Sequence, residues 1–350
     1  MKFPRPNYPK STFIKGITFD KYRLHKGNGD MWPSTWADDD NLYTASGDIP
    51  GSVLNFWKVT GIPHFAGLSV DMVNFTPIDP EYAKTLPETH PKNNLKPAGV
   101  IYVNGRMYMS VSSMNYAEPD YWYRQRYPNS WIITSDDYGK TWDTNATPYN
   151  FFSGGLCGST FVQFGKNNAG ARDEYVYACF PCSYDRVSYW ENADILLMGR
   201  VPSDKILVRD AWEFYIGNES WSSDGERAIP IFEYPKMTGQ DFIQYNPGLK
   251  RYIMGNYSFT TEEGVPRPYH QGDYTGEYTR YPSQLSLFEA PEPWGPWSIF
   301  HMDDNWGTYG GYQPSFPVKW MSDDGLTMHM VSSGSFDDYN FTVQKVMLEQ

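Results

Sequence analysis

Runs of alternating apolar and polar residues, joined in pairs by tight turns, recur along the whole chain. Val100–Val103 and Arg106–Met109 flank Asn104-Gly105, and Asn-Gly between two alternating runs is a strong signal for a β-hairpin. Four other segments combine a run, a turn and a second run in the same way. The five predicted hairpins span residues 32–44, 100–109, 159–177, 242–254 and 316–330.

Further strand candidates lie between consecutive hairpins, and they set the size of the repeat. Trp131–Thr134, Ile195–Arg200 and Gln284–Phe288 are examples. Each repeat of roughly 60–80 residues therefore supplies about four strands, which is the unit of a propeller blade. A single blade leaves its faces and edges exposed, whereas blades in a ring cover one another. A β-sandwich or barrel, the competing arrangement, does not predict five matched hairpins.

We therefore predict an all-β fold, a five-bladed β-propeller with four-stranded antiparallel blades. One domain over residues 1–350 is expected, with blades that start near residues 30, 97, 157, 240 and 313. The last blade ends at Phe341–Val346 and lacks an outer strand. The N-terminal run Ile14–Leu24 is predicted to supply that strand and to close the ring.

Ser135–Trp142 supports a propeller through its sequence, Ser-Asp-Asp-Tyr-Gly-Lys-Thr-Trp. It matches the pattern S-x-D-x-G-x-T-W, the Asp-box turn of sialidase-like and other propellers. In such a turn the Asp carboxylate accepts backbone N–H groups, the Gly adopts a conformation that other residues avoid, and the Trp packs between sheets. The motif indicates a fold and carries no chemistry of its own.

Composition agrees with this fold and disfavours several classes of partner. Hydrophobic residues make up 40% of the 350 residues and aromatic residues 17%, which is enough to bury a core of short strands. The formal net charge of −12 disfavours nucleic acid, because the chain would repel phosphate groups. Long apolar runs and polybasic segments are absent from the sequence, so we expect no membrane span or anchor. We expect a monomer. The compartment is left open, with a secreted or periplasmic location favoured if a leader has been removed.

The three cysteines, Cys157, Cys179 and Cys182, leave two alternatives open. Cys157 and Cys182 flank the third predicted hairpin and would face one another, so a disulfide would form in an oxidising compartment. Three buried thiols without a bond are the favoured alternative. Cys179 and Cys182 form a lone C-x-x-C pair, which is too little for a zinc site. We predict no metal site and no cofactor, although a structural cation would fit in the central channel of a propeller.

The inner strands of a propeller start at one end of its central channel, and a pocket would form at this rim. The residues predicted to bind substrate there are Trp32, Lys96, Asp241 and Gln313. Carboxylate, amide, amine and aromatic groups together suit a carbohydrate, because sugar hydroxyls need polar partners and sugar rings stack on aromatic faces. The aromatic insertion 115–127 is predicted to wall a subsite with Trp122, and a packed surface loop is the alternative.

Asp30 and Asp48 are the predicted catalytic residues. Asp30 precedes the inner strand of the first blade, and Asp48 follows the second strand. Since these strands are antiparallel, both carboxylates would lie at the same end of the blade. Glycosidic cleavage requires such a pair, in which one group protonates the leaving oxygen and the other activates water or attacks directly. The structural alternative is that Asp48 caps a turn and Asp30 orders a loop.

The segment 29–48, which contains G-D-x-W-P, W-A-D-D, L-Y-T and G-D in that order, resembles a bacterial family of five-bladed propellers. This family was first described as a domain of unknown function and includes endo-D-arabinanases. The resemblance is best in the opening blade. It implies a glycoside hydrolase that acts on arabinofuranosyl linkages, with Asp30 and Asp48 as its catalytic pair. Asp48 is followed by Ile49-Pro50-Gly51, where relatives often have Gly or Thr-Phe, and this difference concerns the identity of the substrate.

A second resemblance implies another reaction class. Propeller-type ulvan and rhamnose–glucuronate lyases pair a Tyr with an Arg, in which the Arg neutralises the uronate carboxylate and the Tyr moves the proton. Tyr184 and Arg200 have a compatible spacing. Such lyases also need a His near the channel, and none of the six His lies clearly at the start of an inner strand, so this hypothesis ranks second. A structural salt bridge is the other interpretation of Arg200. A non-catalytic glycan-binding propeller is the third hypothesis.

Overall fold

The computed structural model describes residues 5–64, 67–86, 95–115, 125–259, 283–307, 310–334 and 339–350. Strands dominate these ranges, and they are β1 (Gly16–Lys26), β2 (Asp30–Trp36), β3 (Leu42–Gly47), β4 (Asn55–Gly61), β5 (Leu68–Asn74), β6 (Leu95–Val103), β7 (Arg106–Ser113), β8 (Asn129–Ser135), β9 (Phe152–Ser153), β10 (Thr160–Phe161), β11 (Tyr175–Cys182), β12 (Ala193–Pro202), β13 (Glu213–Gly217), β14 (Ser220–Ser222), β15 (Phe232–Thr238), β16 (Phe242–Asn246), β17 (Arg251–Ser258), β18 (Ser283–Ala290), β19 (Ser298–Trp306), β20 (Gly311–Ser315), β21 (Thr327–Gly334) and β22 (Phe341–Glu349).

Helices are short in the described part of the chain. They are α1 (Pro80–Ala83) and the 3-10 helices Gly154–Leu156, Lys166–Asn168, Arg209–Ala211, Gly225–Arg227 and Val318–Trp320. None of the helices in these ranges has both the length and the apolar composition that crossing a membrane requires.

The strands form five sheets, each of which is one blade of antiparallel strands. Blades 1, 2 and 4 consist of β2–β5, β6–β9 and β16–β19, in sequence order. Blade 3 follows the path β10–β14, and β15 also pairs with β12. Blade 5 has the order β20, β21, β22 and β1. The predicted five-bladed propeller is therefore confirmed, and blade 3 carries two strands more than the four that the repeat predicted.

The N-terminal strand completes the fifth blade. β1 pairs antiparallel with β22, from Gly16 opposite Glu349 to Lys26 opposite Phe341. The pairing is irregular between Phe19 and Arg23. The predicted closure of the ring by the N-terminal run is confirmed, so the two ends of the chain meet in one sheet.

The innermost strands form the wall of the central channel. They contact one another in the order β2, β6, β10, β16 and β20, and β20 returns to β2. Gln163 and Gln244 form a parallel bridge between blades 3 and 4, as expected for inner strands that run in the same direction. The starts of the inner strands therefore lie at one end of the channel, which we call the mouth.

Amide side chains on and beside the inner strands tie neighbouring blades together. Gln163 Nε2 donates to the carbonyl of Val100 at 2.8 Å, which links blade 3 to blade 2. Gln244 Oε1 accepts from the N–H of Phe316 at 3.1 Å, which links blade 4 to blade 5. A buried backbone group without a partner costs free energy. These bonds therefore fix the height of each blade relative to the next.

The Asp-box turn after β8 packs blade 2 against blade 1. Asp137 Oδ1 accepts from the N–H of Thr141 at 2.9 Å, and Gly139 has a φ of +83°. The ring of Trp142 packs edge-on against Phe56 of blade 1, with 4.9 Å between the ring centroids. The turn therefore has the structural role that its sequence predicts.

Cys157, Cys179 and Cys182 are free thiols and all three are buried. Burial raises the pKa of the Cys179 and Cys182 thiols, in the case of Cys182 to about 12. The alternative of three unbonded buried thiols, which the sequence favoured, is therefore the one that the structure contains.

We predict that Gly139→Ala destabilises the protein more than Gly105→Ala does. Both glycines have a positive φ, but a Cβ at position 139 would lie 2.2 Å from Phe56, whereas a Cβ at position 105 would meet nothing within 4 Å. Gly105→Ala should cost about 1–2 kcal/mol of unfolding free energy from its backbone conformation alone. Gly139→Ala should cost a further ~1–3 kcal/mol from overpacking. Urea unfolding of both variants measures the difference, and equal losses would contradict the described packing of the turn.

Candidate active site

Two neighbouring strands of blade 1 bring Asp30 and Asp48 to the mouth of the channel. Asp30 begins β2 and lies opposite Gly47, the last residue of β3. Asp48 follows directly, with a φ of +60°. Gly29 allows this close approach, because a Cβ at position 29 would lie 2.5 Å from the carbonyl oxygen of Gly47. The structure therefore places the two carboxylates at the same end of the blade, as the sequence predicts.

Lys96 of blade 2 lies between the two carboxylates. Its Nζ atom is 3.4 Å from Asp30 Oδ1 and also contacts Asp48 Oδ1. The side chains of Asp30 and Lys96 are each 6% exposed, whereas the side chain of Asp48 is 38% exposed. The mouth therefore contains one buried and one exposed carboxylate joined by a single ammonium group.

Gly47 provides the space in which these groups meet. A Cβ at this position would lie 3.0 Å from Asp30 Oδ1 and 3.2 Å from Lys96 Nζ. Both distances are tighter than ordinary van der Waals contacts, so a side chain here would push the carboxylate and the ammonium apart. Gly47 thus leaves open the space beside Asp30 and Lys96, and the next residue, Asp48, supplies the second carboxylate.

Asp30 also has a partner from the last blade. The hydroxyl of Tyr312 donates to Asp30 Oδ2 at 3.1 Å. Burial, followed by the negative charge of Asp48, raises the pKa of Asp30 to about 6, and Lys96 and Tyr312 oppose this rise. Asp30 therefore takes up and releases a proton close to neutral pH, which an ordinary carboxyl group does not do.

Aromatic side chains form a wall next to Tyr312. Trp190 is partly exposed, and its ring packs edge-on against Tyr312 with 5.5 Å between the centroids. Tyr257 and Phe259 also pack against Trp190, at 6.3 Å and 5.6 Å. Trp190 and Tyr312 were not predicted from the sequence. The signal that could have found them is their position, since Tyr312 lies at the start of an inner strand and Trp190 lies in the connection from β11 to β12.

Trp32 does not lie on an open rim. Met31 and Trp32 have positive φ angles of 85° and 59°, and the pairing of β2 with β3 shifts between Met31 and Ser34. Such a bulge re-aims side chains. Trp32 is 1% exposed and packs against Trp57 and Phe341 at centroid distances of 5.7 Å and 5.3 Å. This corrects the prediction that Trp32 binds substrate, because a ring buried this deeply offers no face to a sugar.

Asp241 and Gln313 are also covered. Asp241 directly precedes β16 and is 0% exposed, and Gln313 lies in β20 and is 1% exposed. Burial raises the pKa of Asp241 well above its usual range. Both residues are at the predicted inner strands. The prediction of direct substrate contact is not met, because neither side chain reaches the surface in this structure.

Tyr184 and Arg200 are separated along blade 3. The N–H of Tyr184 donates to Asp194 Oδ2 at 3.0 Å, while its hydroxyl contacts the Glu233 carboxylate. Arg200 lies six residues beyond Asp194 on β12, about 20 Å away at the usual rise of a strand. The two residues therefore do not form one site, and the Tyr–Arg pair of the lyase hypothesis has no geometric basis here.

Arg200 is held in a structural contact. Its Nη2 atom lies 2.9 Å from Glu213 Oε2, and its guanidinium stacks between the rings of Tyr175 and Trp221, at 4.2 Å and 4.4 Å from their centroids. The salt-bridge interpretation of Arg200 is therefore the one that the structure contains.

Trp122 lies outside the described residues. Over the described part of the chain, no three His, Cys, Asp or Glu side chains come together in a group that could hold a metal ion.

We predict that Asp30→Asn stabilises the fold at pH 8. The folded state holds the Asp30 proton more tightly than the unfolded state, since the pKa is about 6 rather than 3.8. The resulting stabilisation is complete at low pH and is lost as the pH rises from about 4 through about 6. Asparagine mimics the protonated group, so at pH 8 the variant should be more stable by up to about 3 kcal/mol.

Thermal unfolding at pH 4 and pH 8 measures this effect, and the difference between variant and parent should be present only at pH 8. Asp204→Asn is the matched control, because Asp204 is exposed and its substitution should leave the difference near zero at both values. An Asp30→Asn variant that gains no stability at pH 8 would contradict the described burial of the carboxylate.

Solved structures of other proteins resemble this fold at low sequence identity. An α-L-arabinofuranosidase from Lactobacillus brevis matches 92% of this chain and 90% of its own, with a TM-score of 0.52 and 11% identity. Xylan β-1,4-xylosidase from Bacillus halodurans C-125 matches 97% of this chain and 54% of its own, with a TM-score of 0.51 and 9% identity. A GH43_1 enzyme from Xanthomonas citri matches 92% and 87%, with a TM-score of 0.50 and 10% identity. These likenesses show a shared fold. No curated protein matches the chain.

One family model does cover the ring. It is described as a domain of unknown function, DUF4185, and it matches residues 16–345. The matched range begins with the closing strand β1 and reaches into β22, its partner in blade 5. It also includes Asp30, Gly47, Asp48, Lys96 and Tyr312. By this match over nearly its whole length, the chain belongs to the DUF4185 family.

Proposed function

We propose that the protein is a glycoside hydrolase that cleaves glycosidic bonds in a poly- or oligosaccharide, with Asp30 and Asp48 as its catalytic carboxylates. The observation that carries this proposal is the unequal pair at the mouth, where one carboxylate is buried with a raised pKa and the other is exposed. Glycoside hydrolysis needs two carboxyl groups in different protonation states. Environments that differ in this way give one carboxyl group the role of the acid and the other the role of the base or nucleophile.

Asp30 is the proposed proton donor. With a pKa of about 6, it carries a proton in mildly acidic solution and is still able to release it. The proton passes to the glycosidic oxygen as the bond from the anomeric carbon to that oxygen breaks. Asp48 supplies the second function, in which it either attacks the anomeric carbon or removes a proton from the attacking water. If Asp48 attacks, a water molecule then breaks the bond between the sugar and Asp48, giving its hydroxyl to the anomeric carbon and its proton to Asp30. If Asp48 instead activates the water, it keeps the proton of that water and releases it to solvent, and Asp30 takes up a proton from solvent.

The proposed substrate class contains arabinofuranosyl linkages. Its support is the sequence resemblance of residues 29–48 to a family that includes endo-D-arabinanases. An arabinofuranosidase and a xylosidase among the structures of similar fold are consistent with a carbohydrate substrate. Trp190, which is partly exposed beside Tyr312, is the proposed surface for stacking of a sugar ring.

We predict that Asp30→Asn and Asp48→Asn each reduce hydrolysis by about 100-fold or more, which is the scale of general acid–base catalysis. The assay is release of reducing ends from a panel of arabinans, xylans and other glycans, with products identified by mass. Asp204→Asn is the control and should retain full activity, and unfolding curves establish that each variant is folded. Full activity in both carboxylate variants would sink the proposal. Binding of a glycan by the parent protein without any product would favour the binding-propeller hypothesis.

We also predict that hydrolysis falls as the pH rises above about 6. Asp30 acts as an acid only while it is protonated, and its pKa of about 6 sets the alkaline limb of the pH–rate profile. Initial rates measured between pH 4 and pH 9 test this. A rate that rises through pH 6 and stays high at pH 8 would assign Asp30 the role of a base instead of an acid.

A further inference from the structure

Lys96 is built into the carboxylate pair and is almost completely buried. Its Nζ atom touches both carboxylates, and its side chain is 6% exposed. A buried ammonium group is costly unless charged or polar partners surround it. Here the partners are the two groups proposed to react. Lys96 was predicted from sequence to bind substrate, but its charged end points to the protein's own carboxylates.

The two contacts of Lys96 have different consequences for the two carboxylates. Asp48 follows a strand end and is exposed, and in the described part of the chain the ammonium of Lys96 is the charged group that it contacts. This contact restricts the rotation of an otherwise free side chain. Asp30 is already held by Tyr312 and by its place in β2. Lys96 therefore orients the exposed member of the pair relative to the buried member.

Charge gives Lys96 a second effect. Two carboxylates at close range resist ionising together, and one ammonium compensates for one negative charge. Asp30 is cut off from water, so its ionised form depends on the ammonium of Lys96 and the hydroxyl of Tyr312. Lys96 therefore keeps Asp30 able to release a proton that burial and the charge of Asp48 would otherwise hold on it. Without the ammonium, Asp30 would hold its proton more tightly, and Asp48 would lose the contact that restricts its rotation.

We propose that Lys96 is a positioning residue that holds the Asp48 carboxylate beside Asp30 and keeps Asp30 able to release its proton. This assignment rests on the proposed function for its role in hydrolysis, but not for its effect on the titration of Asp30. The titratable groups that face Asp30 from the described elements around it are Asp48, Lys96 and Tyr312. Asp48 and Lys96 affect the pKa of Asp30 in opposite directions, because the charge of Asp48 raises it and the charge of Lys96 lowers it.

The test compares each variant with its Asp30→Asn double variant by thermal unfolding between pH 4 and pH 9. The pH at which the two curves separate reports the titration of Asp30 alone. Lys96→Met, which keeps the length and removes the charge, should move this pH upward. Asp48→Asn should move it downward. A midpoint that does not move in either variant, or that moves in the reverse directions, would overturn the proposal.

Lys236→Met is the matched control. Lys236 Nζ lies 3.3 Å from Oδ2 of the buried Asp194 in blade 3, so the variant also removes an ammonium from a buried carboxylate. It should lower stability without moving the titration of Asp30. If Lys96→Met does not fold, Lys96→Gln replaces it, because glutamine keeps a polar group towards the two carboxylates and removes the charge. The proposal requires the same upward shift in this variant.

Kinetics provide the second readout. Once a cleaved glycan is known, Lys96→Met should lower kcat by on the order of 100-fold, as expected for a misplaced reacting group. The KM should stay near the parent value, and the alkaline limb of the pH–rate profile should move to higher pH. An unchanged kcat would overturn the positioning role. If the parent protein cleaves no glycan, the proposed function fails, while the unfolding titration still tests the effect of Lys96 on Asp30.

Discussion

The height at which each blade sits against the next is the constraint on which the rest of the structure depends. Amide side chains on and beside the inner strands bond backbone groups of neighbouring blades, as Gln163 and Gln244 do. A blade that slipped along the channel would break these bonds to the buried residues Val100 and Phe316. Because the heights are fixed, groups from β2, β6 and β20 meet at the mouth. The site is therefore a property of the ring and not of any one blade.

The fold was predictable because its signals are local. An Asn-Gly turn or an Asp-box turn determines the path of a few residues, and five such hairpins are enough to predict a propeller. The carboxylate pair was predictable for the same reason, since Asp30 and Asp48 flank two adjacent antiparallel strands. The six strands of blade 3 were not, because the β13–β14 hairpin around Gly217-Asn218 and the strand β15, which pairs with β12, are additions to the four-strand repeat.

The surroundings of the pair could not be predicted, because they come from remote parts of the chain. Tyr312 is 282 residues from Asp30, and Lys96 is 66 residues from it. A local sequence pattern does not show which side chains of different inner strands come into contact. The prediction that Trp32 lies on the open rim was wrong for a different reason. Alternation along a strand assumes regular pairing, and the positive φ angles of Met31 and Trp32 change the face on which the ring emerges.

Closure of the ring by β1 also has a consequence for the order in which the protein is made. Asp30 lies just after the closing strand, and the groups that flank it come from the second blade and from the last. A ribosome produces Asp30, Asp48 and Lys96 first, and Tyr312 follows only 282 residues after Asp30. Until β22 has been made, β1 has no sheet to join and Asp30 lacks the partner that the last blade supplies. The surroundings that raise the proton affinity of Asp30 are thus complete only once the last blade has been made.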